Sequence, residues 1–211
     1  MKIECVILDW AGTTIDYGCF APVKAFMETF KEYGIEVTME ETRKPMGMLK
    51  WDHIKTMLEM PRIHTLWRNT YKREVSHQDV DKMHELFTTK LMRILEHFTD
   101  IKPYVKECVN DIRMMGIKIG STTGYSDQMM EVVSKGARRN GYAPDCWVSP
   151  TSVRNHGRPY PYMIFRNMEI LEIKNIRSII KVGDTISDIQ EASCANVISV
   201  GILEGSSLIG L

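Results

Sequence analysis

The feature that most constrains this fold is a change of rhythm near residue 98. From there to residue 202, apolar runs alternate with helical periods. A helix runs from Pro103 to a stop at Gly116, Ile117–Thr123 reads as a strand, and 127–140 as a helix. Asp145–Ser149 reads as a short strand and Tyr162–Glu172 as a helix. Ser178–Gly183 then reads as a strand, Ile186–Ala195 as a helix and Val197–Ile202 as a last strand. Such alternation builds a parallel sheet with helices over both faces. Ile3–Leu8 is an apolar run of the same kind, ending at Asp9. Between the two lies a stretch without strand character. Pro22 opens a helix with the stripe Val23, Phe26, Met27 and Phe30, and Gly34 closes it; helical periods then fill 46–60, 62–74 and 77–97. The expected fold is α/β, a doubly wound parallel sheet with a Rossmann-type core. Residues 1–19 and 98–211 form the core, and 20–97 an all-α cap inserted after the first strand. Ligands of such sheets bind beyond the C-terminal ends of the strands.

Composition excludes several classes. The 211 residues hold 27 Lys+Arg and 27 Asp+Glu. No basic excess favours nucleic acid or an anionic membrane surface as a partner. A charge at Lys2 and another at Glu4 interrupt any signal-peptide core, and no apolar run approaches the ~20 residues of a spanning helix. The five cysteines are scattered without a CxxC pair, which reads as reduced thiols in the cytoplasm and no zinc site.

Three strand ends carry chemistry. Asp9-Trp10-Ala11-Gly12-Thr13-Thr14 places a carboxylate at the end of the first strand, where it either attacks phosphorus or serves an ordinary polar turn. Ser121-Thr122-Thr123-Gly124-Tyr125 joins a hydroxyl and a glycine to a helix N-terminus, a phosphate cradle when an anion is present. Lys181-Val182-Gly183-Asp184-Thr185-Ile186-Ser187-Asp188 sets two acids four apart. With Asp9 they offer hard oxygen ligands to Mg²⁺; alternatively they cap and charge a helix start. A loop arginine, Arg158, in Gly157-Arg158-Pro159-Tyr160-Pro161 suits a phosphoryl group held bidentately, or water.

Lys50 stands apart. Read as part of a helix over 46–60, its face neighbours are Met46, Gly47, His53 and Ile54, with no acid among them. A lysine on such a face loses hydration, which favours the neutral amine, and a neutral amine attacks carbonyl carbon. The competing reading is a lysine whose ammonium snorkels to water.

The four elements, Asp9-x-x-Gly-Thr, the Thr123 strand end, the basic residue before a helix and Gly-Asp-x-x-x-Asp, resemble the haloacid dehalogenase superfamily in that order. The resemblance implies a Mg²⁺-dependent phosphoryl transferase with an aspartate nucleophile and a mobile cap. Most phosphatases of that superfamily carry a second acid two residues after the nucleophile, as general acid; here the position is Ala11. Asp-Trp-Ala-Gly-Thr-Thr together with Met46-Gly47-x-x-Lys50-x-x-His53 is similar to the phosphonatase family, which hydrolyses phosphonoacetaldehyde. Gly-Ser-Thr-Thr-Gly-Tyr, Gly-Arg-Pro-Tyr-Pro and Lys-Val-Gly-Asp-Thr-x-Ser-Asp match it as well.

That resemblance implies catalytic roles for Asp9, Lys50 and His53. It implies a phosphonate site of Ala11, Met46, Gly47, Thr123, Gly124, Tyr125 and Arg158. Mg²⁺ would be held by Asp9, Asp184 and the carbonyl of Ala11, with Asp188 as ligand or support. A homodimer through the cap is a further implication. Two departures stand beside the match. The loop Thr151–Gly157 is slightly longer than the family pattern. The sequence given ends at Leu211, soon after the last strand, where family members continue; the expectation is a sheet partly uncovered near Val197, Ile198 and Val200. The alternatives are a Mg²⁺-dependent phosphatase acting on phosphate esters, and a truncated form that binds phosphonates or a partner without turnover.

Overall fold

The computed structural model describes residues 2–207; Leu211, the end on which the expectation of a short C-terminus rests, lies outside them. Four strands form one sheet: β1 (Cys5–Leu8), β2 (Lys118–Ser121), β3 (Ile179–Gly183) and β4 (Ile198–Gly201). Their order is β2-β1-β3-β4, and every neighbouring pair is parallel. β1 is central and buried at all four residues, which is why its sequence is apolar without alternation. Leu8 is level with Ser121 on one side and with Val182 on the other. That register delivers Asp9, Thr122 and Gly183 to the same edge, followed by Thr123 and Asp184.

Asp145–Ser149, expected as a strand, makes only an isolated bridge between Thr122 and Val148. The Asp145 carboxylate accepts the Ile119 N–H at 2.8 Å while the Asp145 N–H donates to the Ile119 carbonyl. A side chain thus takes the place of the next rung of the ladder.

The segment between β1 and β2 is helical: α1 (Phe20–Glu32), α2 (Met39–Arg43), α3 (Lys50–Glu59), α4 (Pro61–Tyr71) and α5 (His77–Ile94). α1 packs on α5, and α3 on α4 and α5. Phe26 stacks between Phe87 at 4.1 Å and His53 at 3.8 Å, so the apolar stripe of α1 becomes the interior of this layer. α2 is a helix the apolar periodicity does not reveal. Its capping box is nonetheless written in Thr38-x-x-Glu41, where each side chain receives the other's backbone N–H.

The helix expected over 46–60 begins only at Lys50, and Met46–Leu49 is a run of turns. Gly47 has φ +89°, outside helical space, and a Cβ there would run into Thr185 Oγ1. Met46 and Gly47 therefore precede Lys50 in a loop and do not share its helix face.

The remaining helices, α6 (Val105–Met114), α7 (Asp127–Arg139), α8 (Tyr162–Ile170) and α9 (Ile186–Ala195), flank the sheet. All four residues of β4 are exposed among the described residues, Ile198 at 39 % and Val200 at 41 %. Beside them runs an apolar groove of about 520 Å³, lined by Val6, Leu8, Val109, Ile112, Val182 and Val200 among others. No helix among the described residues is long and apolar enough to cross a membrane.

Candidate active site

The strand ends and the loop before α3 meet in a narrow crevice. Asp9, Ala11, Met46, Gly47, Lys50, Thr123, Gly124, Tyr125 and Arg158 all line it. The predicted substrate-side residues thus converge from four separate chain segments. Asp184 and Asp188 stand behind the crevice: one oxygen each from Asp9, Asp184 and Asp188 lies within 4.8 Å of the others, and all three residues are buried. His53 is buried in the helical layer and does not line the crevice.

Asp9 is where the charges concentrate. Burial pushes its carboxyl up to about 7, against the pull of Arg158; the nearby Asp188 adds to the rise. Arg158 Nη2 donates to Asp9 Oδ1 at 2.6 Å and lies 2.8 Å from Asp188 Oδ1. The loop before it thus delivers Arg158 to the strand-end carboxylates. Asp184 accepts from Thr13 Oγ1 at 2.9 Å and from the Ser207 N–H at 2.6 Å. Gly12, at φ +87°, is needed beside it, because a Cβ there would run into Asp184 Oδ2.

Asp188 is the most heavily engaged acid. Its Oδ1 accepts from Lys181 Nζ at 2.5 Å, and its Oδ2 from the N–H and Oγ1 of Thr185. It thus closes the capping box of α9 as well as belonging to the acidic group. The capping reading left open for this residue is realised. With its oxygens so occupied, Asp188 is better suited to bracing the group than to direct ligation.

Lys50 opens α3 and is 7 % exposed. Among the described residues it enters no ion pair; its Nζ lies over the rings of Tyr125 at 5.4 Å and Phe26 at 5.8 Å. Burial lowers its pKa, with the Asp9 carboxylate opposing the shift. The helix N-terminus also disfavours a cation at this position. The desolvation expected from the sequence is present, although its source is tertiary packing and not one helix face. Cys19, which also lines the crevice, is held well above the usual thiol range by burial and is neutral.

His53 Nε2 sits 2.9 Å from the Thr42 carbonyl. A carbonyl only accepts, so the proton belongs on Nε2 and Nδ1 is left as a bare, buried acceptor. Burial first, and Lys50 second, hold the ring well below its ordinary pKa of 6.5. The sign for stability follows. The unfolded chain protonates His53 near pH 6.5 and the folded one resists, so His53 makes unfolding easier as pH falls below that value. The maximum slope is about 1.4 kcal/mol per pH unit. Thermal melts from pH 7 to 5 are expected to fall less steeply for His53→Gln than for the unaltered chain; parallel slopes would remove His53 from the account.

Sequence reasoning passed over Lys181, Glu191 and Ser207. Lys181 was readable, as a lysine inside the apolar run Ile179-Ile180-Lys181-Val182, and it is fully buried on Asp188. Glu191 lies three residues after Asp188 on α9, hence on the same face. Ser207 carried no local signal; its carbonyl accepts from Arg43 of α2 at 2.6 Å while its N–H serves Asp184.

A parallel sheet with an aspartate at the end of β1 and an acidic pair after β3 defines a class of enzyme. The sequence pattern of haloacid dehalogenase-like hydrolases matches residues 3–196. A phosphonoacetaldehyde hydrolase of Lysinibacillus sphaericus is 55% identical over 211 residues, all of this chain and 78% of the relative. One from Bacillus mycoides is 47% identical over the whole chain and 80% of its own length. A crystal structure of a phosphonoacetaldehyde hydrolase-like protein from Oleispira antarctica superposes with a TM-score of 0.96 at 39% identity, over 100% of this chain and 76% of that one. A β-phosphoglucomutase from Clostridium difficile shares the fold at a TM-score of 0.76 and 20% identity, over 96% of this chain and 85% of that one. The chain belongs to the phosphonoacetaldehyde hydrolase family of the haloacid dehalogenase-like hydrolases, and it is an enzyme.

Proposed function

We propose that this enzyme cleaves the C–P bond of phosphonoacetaldehyde, giving acetaldehyde and phosphate. The observation that carries the reading is a buried lysine, without an ion-pair partner among the described residues, facing the same crevice as a strand-end aspartate. Its family relatives carry the same substrate in their names.

Attack on phosphorus alone would expel a carbanion, which no nearby acid stabilises. Neutral Lys50 first adds to the aldehyde carbon, and loss of water gives the iminium. Asp9 then attacks phosphorus. The C–P electron pair moves into the iminium, leaving an enamine on Lys50 and a phosphoryl group on Asp9. Water hydrolyses the aspartyl-phosphate. The enamine takes a proton at carbon, and hydrolysis of the imine releases acetaldehyde. His53 Nδ1, bare and neutral, is the proposed carrier of protons in imine formation and breakdown. Arg158, Thr123 and Gly124 bind the phosphonyl oxygens as charge shifts between them. Met46, Gly47 and Tyr125 shape the aldehyde end.

The donor set fits a hard divalent cation: three buried carboxylates converge, and without a cation their crowding helps hold Asp9 at about 7. Asp9, Asp184 and the carbonyl of Ala11 would hold Mg²⁺, with Asp188 in support. When bound, Mg²⁺ screens the nucleophile's charge from that of the phosphonate.

The rival reading, a phosphate-ester phosphatase, needs an acid for the leaving oxygen. At the position that would supply it stands Ala11, which has no acidic side chain. Incubation with phosphonoacetaldehyde and Mg²⁺ is expected to yield acetaldehyde and phosphate in equal amounts, with phosphate esters turned over at least about 10²-fold more slowly, the contribution of a general acid. Preferred hydrolysis of esters, or binding of phosphonoacetaldehyde without acetaldehyde release, would displace the C–P reading.

A further inference from the structure

We infer that Glu191 is a positioning residue for the reaction: it fixes the plane of the Arg158 guanidinium through Nε, so that the far edge meets Asp9 and the incoming phosphonyl group. The inference rests on the reading of Arg158 as a phosphonyl ligand.

Glu191 is fully buried on α9, on the inward face it shares with Asp188. Its Oε2 accepts from Arg158 Nε at 3.1 Å and from Thr122 Oγ1 at 2.9 Å. Thr122 Oγ1 in turn accepts from Arg158 Nη2 at 3.1 Å, as does the Thr122 carbonyl. Arginine, glutamate and threonine thus close a hydrogen-bonded ring around one side of the guanidinium. A guanidinium is a rigid plane, so a bond at Nε together with one at Nη2 sets its orientation. The same Nη2 also meets Asp9 Oδ1 at 2.6 Å and Asp188 Oδ1 at 2.8 Å.

The acceptor's position, more than its charge, is what this arrangement requires. Lys181 Nζ is 3.8 Å from Glu191 but bonds Asp188 at 2.5 Å, so Glu191 is not its principal counter-ion. Glu191 Oε1 has no partner among the described residues, whereas Oε2 carries the whole ring. A glutamine fits that pattern: its carbonyl oxygen replaces Oε2, and its amide takes the place of Oε1. An aspartate keeps the charge but draws the acceptor back by one methylene.

The two substitutions therefore separate position from charge. Glu191→Asp is expected to lower kcat/KM for phosphonoacetaldehyde by about 10²-fold, the usual scale of a misplacement near 1 Å. Binding of inorganic phosphate in the presence of Mg²⁺, measured by calorimetry, should weaken in parallel. Glu191→Gln is expected to stay within about fivefold of the unaltered enzyme on both measures, because the ring survives. Combining Glu191→Asp with Arg158→Lys should cost no more than Arg158→Lys alone, since both act through one group. Thermal melts of every variant identify loss by unfolding. Unaltered kinetics and phosphate affinity in Glu191→Asp, a glutamine variant as impaired as the aspartate one, or full additivity with Arg158→Lys would overturn the inference. If Arg158→Lys itself left turnover and phosphate binding intact, the reading of Arg158 would fall and this inference with it. If it impaired both while Glu191→Asp did not, only the role of Glu191 would fall.

Discussion

Lys50→Arg is expected to lower phosphonoacetaldehyde turnover by at least about 10⁴-fold, the scale seen when a covalent catalyst is removed. Arginine keeps the positive charge and still stacks on Tyr125 and Phe26, but it never loses its proton and forms no imine. Borohydride added with acetaldehyde should label a single lysine in the unaltered enzyme, Lys50, and inactivate it; the arginine variant should take up no label. The pH profile carries a second check. Only the neutral amine adds to the aldehyde, so labelling should rise with pH as Lys50 loses its proton. Burial lowers that pKa, which puts the midpoint below 10.5, the ordinary lysine value. A label on another lysine, a midpoint at the ordinary value, or normal turnover by the variant would remove Lys50 from covalent chemistry.

What the sequence made legible is mostly what lies at strand ends. Asp9, Thr123 and Asp184 each follow an apolar run, and parallel pairing in register must bring such positions to one edge. Local order alone was enough to find them. Lys50 was found for an incomplete reason. Its lowered pKa comes from tertiary burial beside residues of α1 and of the loop after β2, far away in sequence, while the stretch drawn as helix through Met46 and Gly47 is a loop with a glycine at positive φ. The strand drawn through Asp145 failed similarly, because one carboxylate took over a backbone bond. Least legible were the braces. Glu191, Lys181 and Ser207 act through partners 7 to 164 residues away. A periodicity of two or of 3.6 says nothing about such pairs. The sequence reading thus reached the groups proposed to touch substrate, and largely missed the buried groups that hold them in place.

Asp9→Asn should separate the two halves of the proposed reaction. Asparagine matches aspartate in shape, and its amide oxygen can still accept from Arg158 Nη2, now 2.6 Å from Asp9 Oδ1. It cannot attack phosphorus to form an acyl-phosphate, so turnover is expected to fall by at least about 10⁴-fold. Imine formation needs only Lys50 and the aldehyde, so borohydride labelling of Lys50 with acetaldehyde should persist. Stability should move the other way. The folded state holds the Asp9 carboxyl at about 7, above its ordinary 3.8. Above pH 7 the unfolded chain carries this charge more easily than the folded one, so the charge favours unfolding when no cation is bound. The asparagine variant is then expected to melt at a higher temperature than the unaltered enzyme in Mg²⁺-free buffer at pH 8. Strain kept at a reacting group at the expense of stability gives this pattern. Added Mg²⁺ should raise the melting temperature of the unaltered enzyme more than that of the variant, because one of its ligands has lost its charge. Undiminished turnover by Asp9→Asn would end the case for an aspartyl-phosphate. Loss of Lys50 labelling alongside turnover, in a variant that melts normally, would mean that the two side chains form one catalytic unit and that the division into half-reactions is wrong.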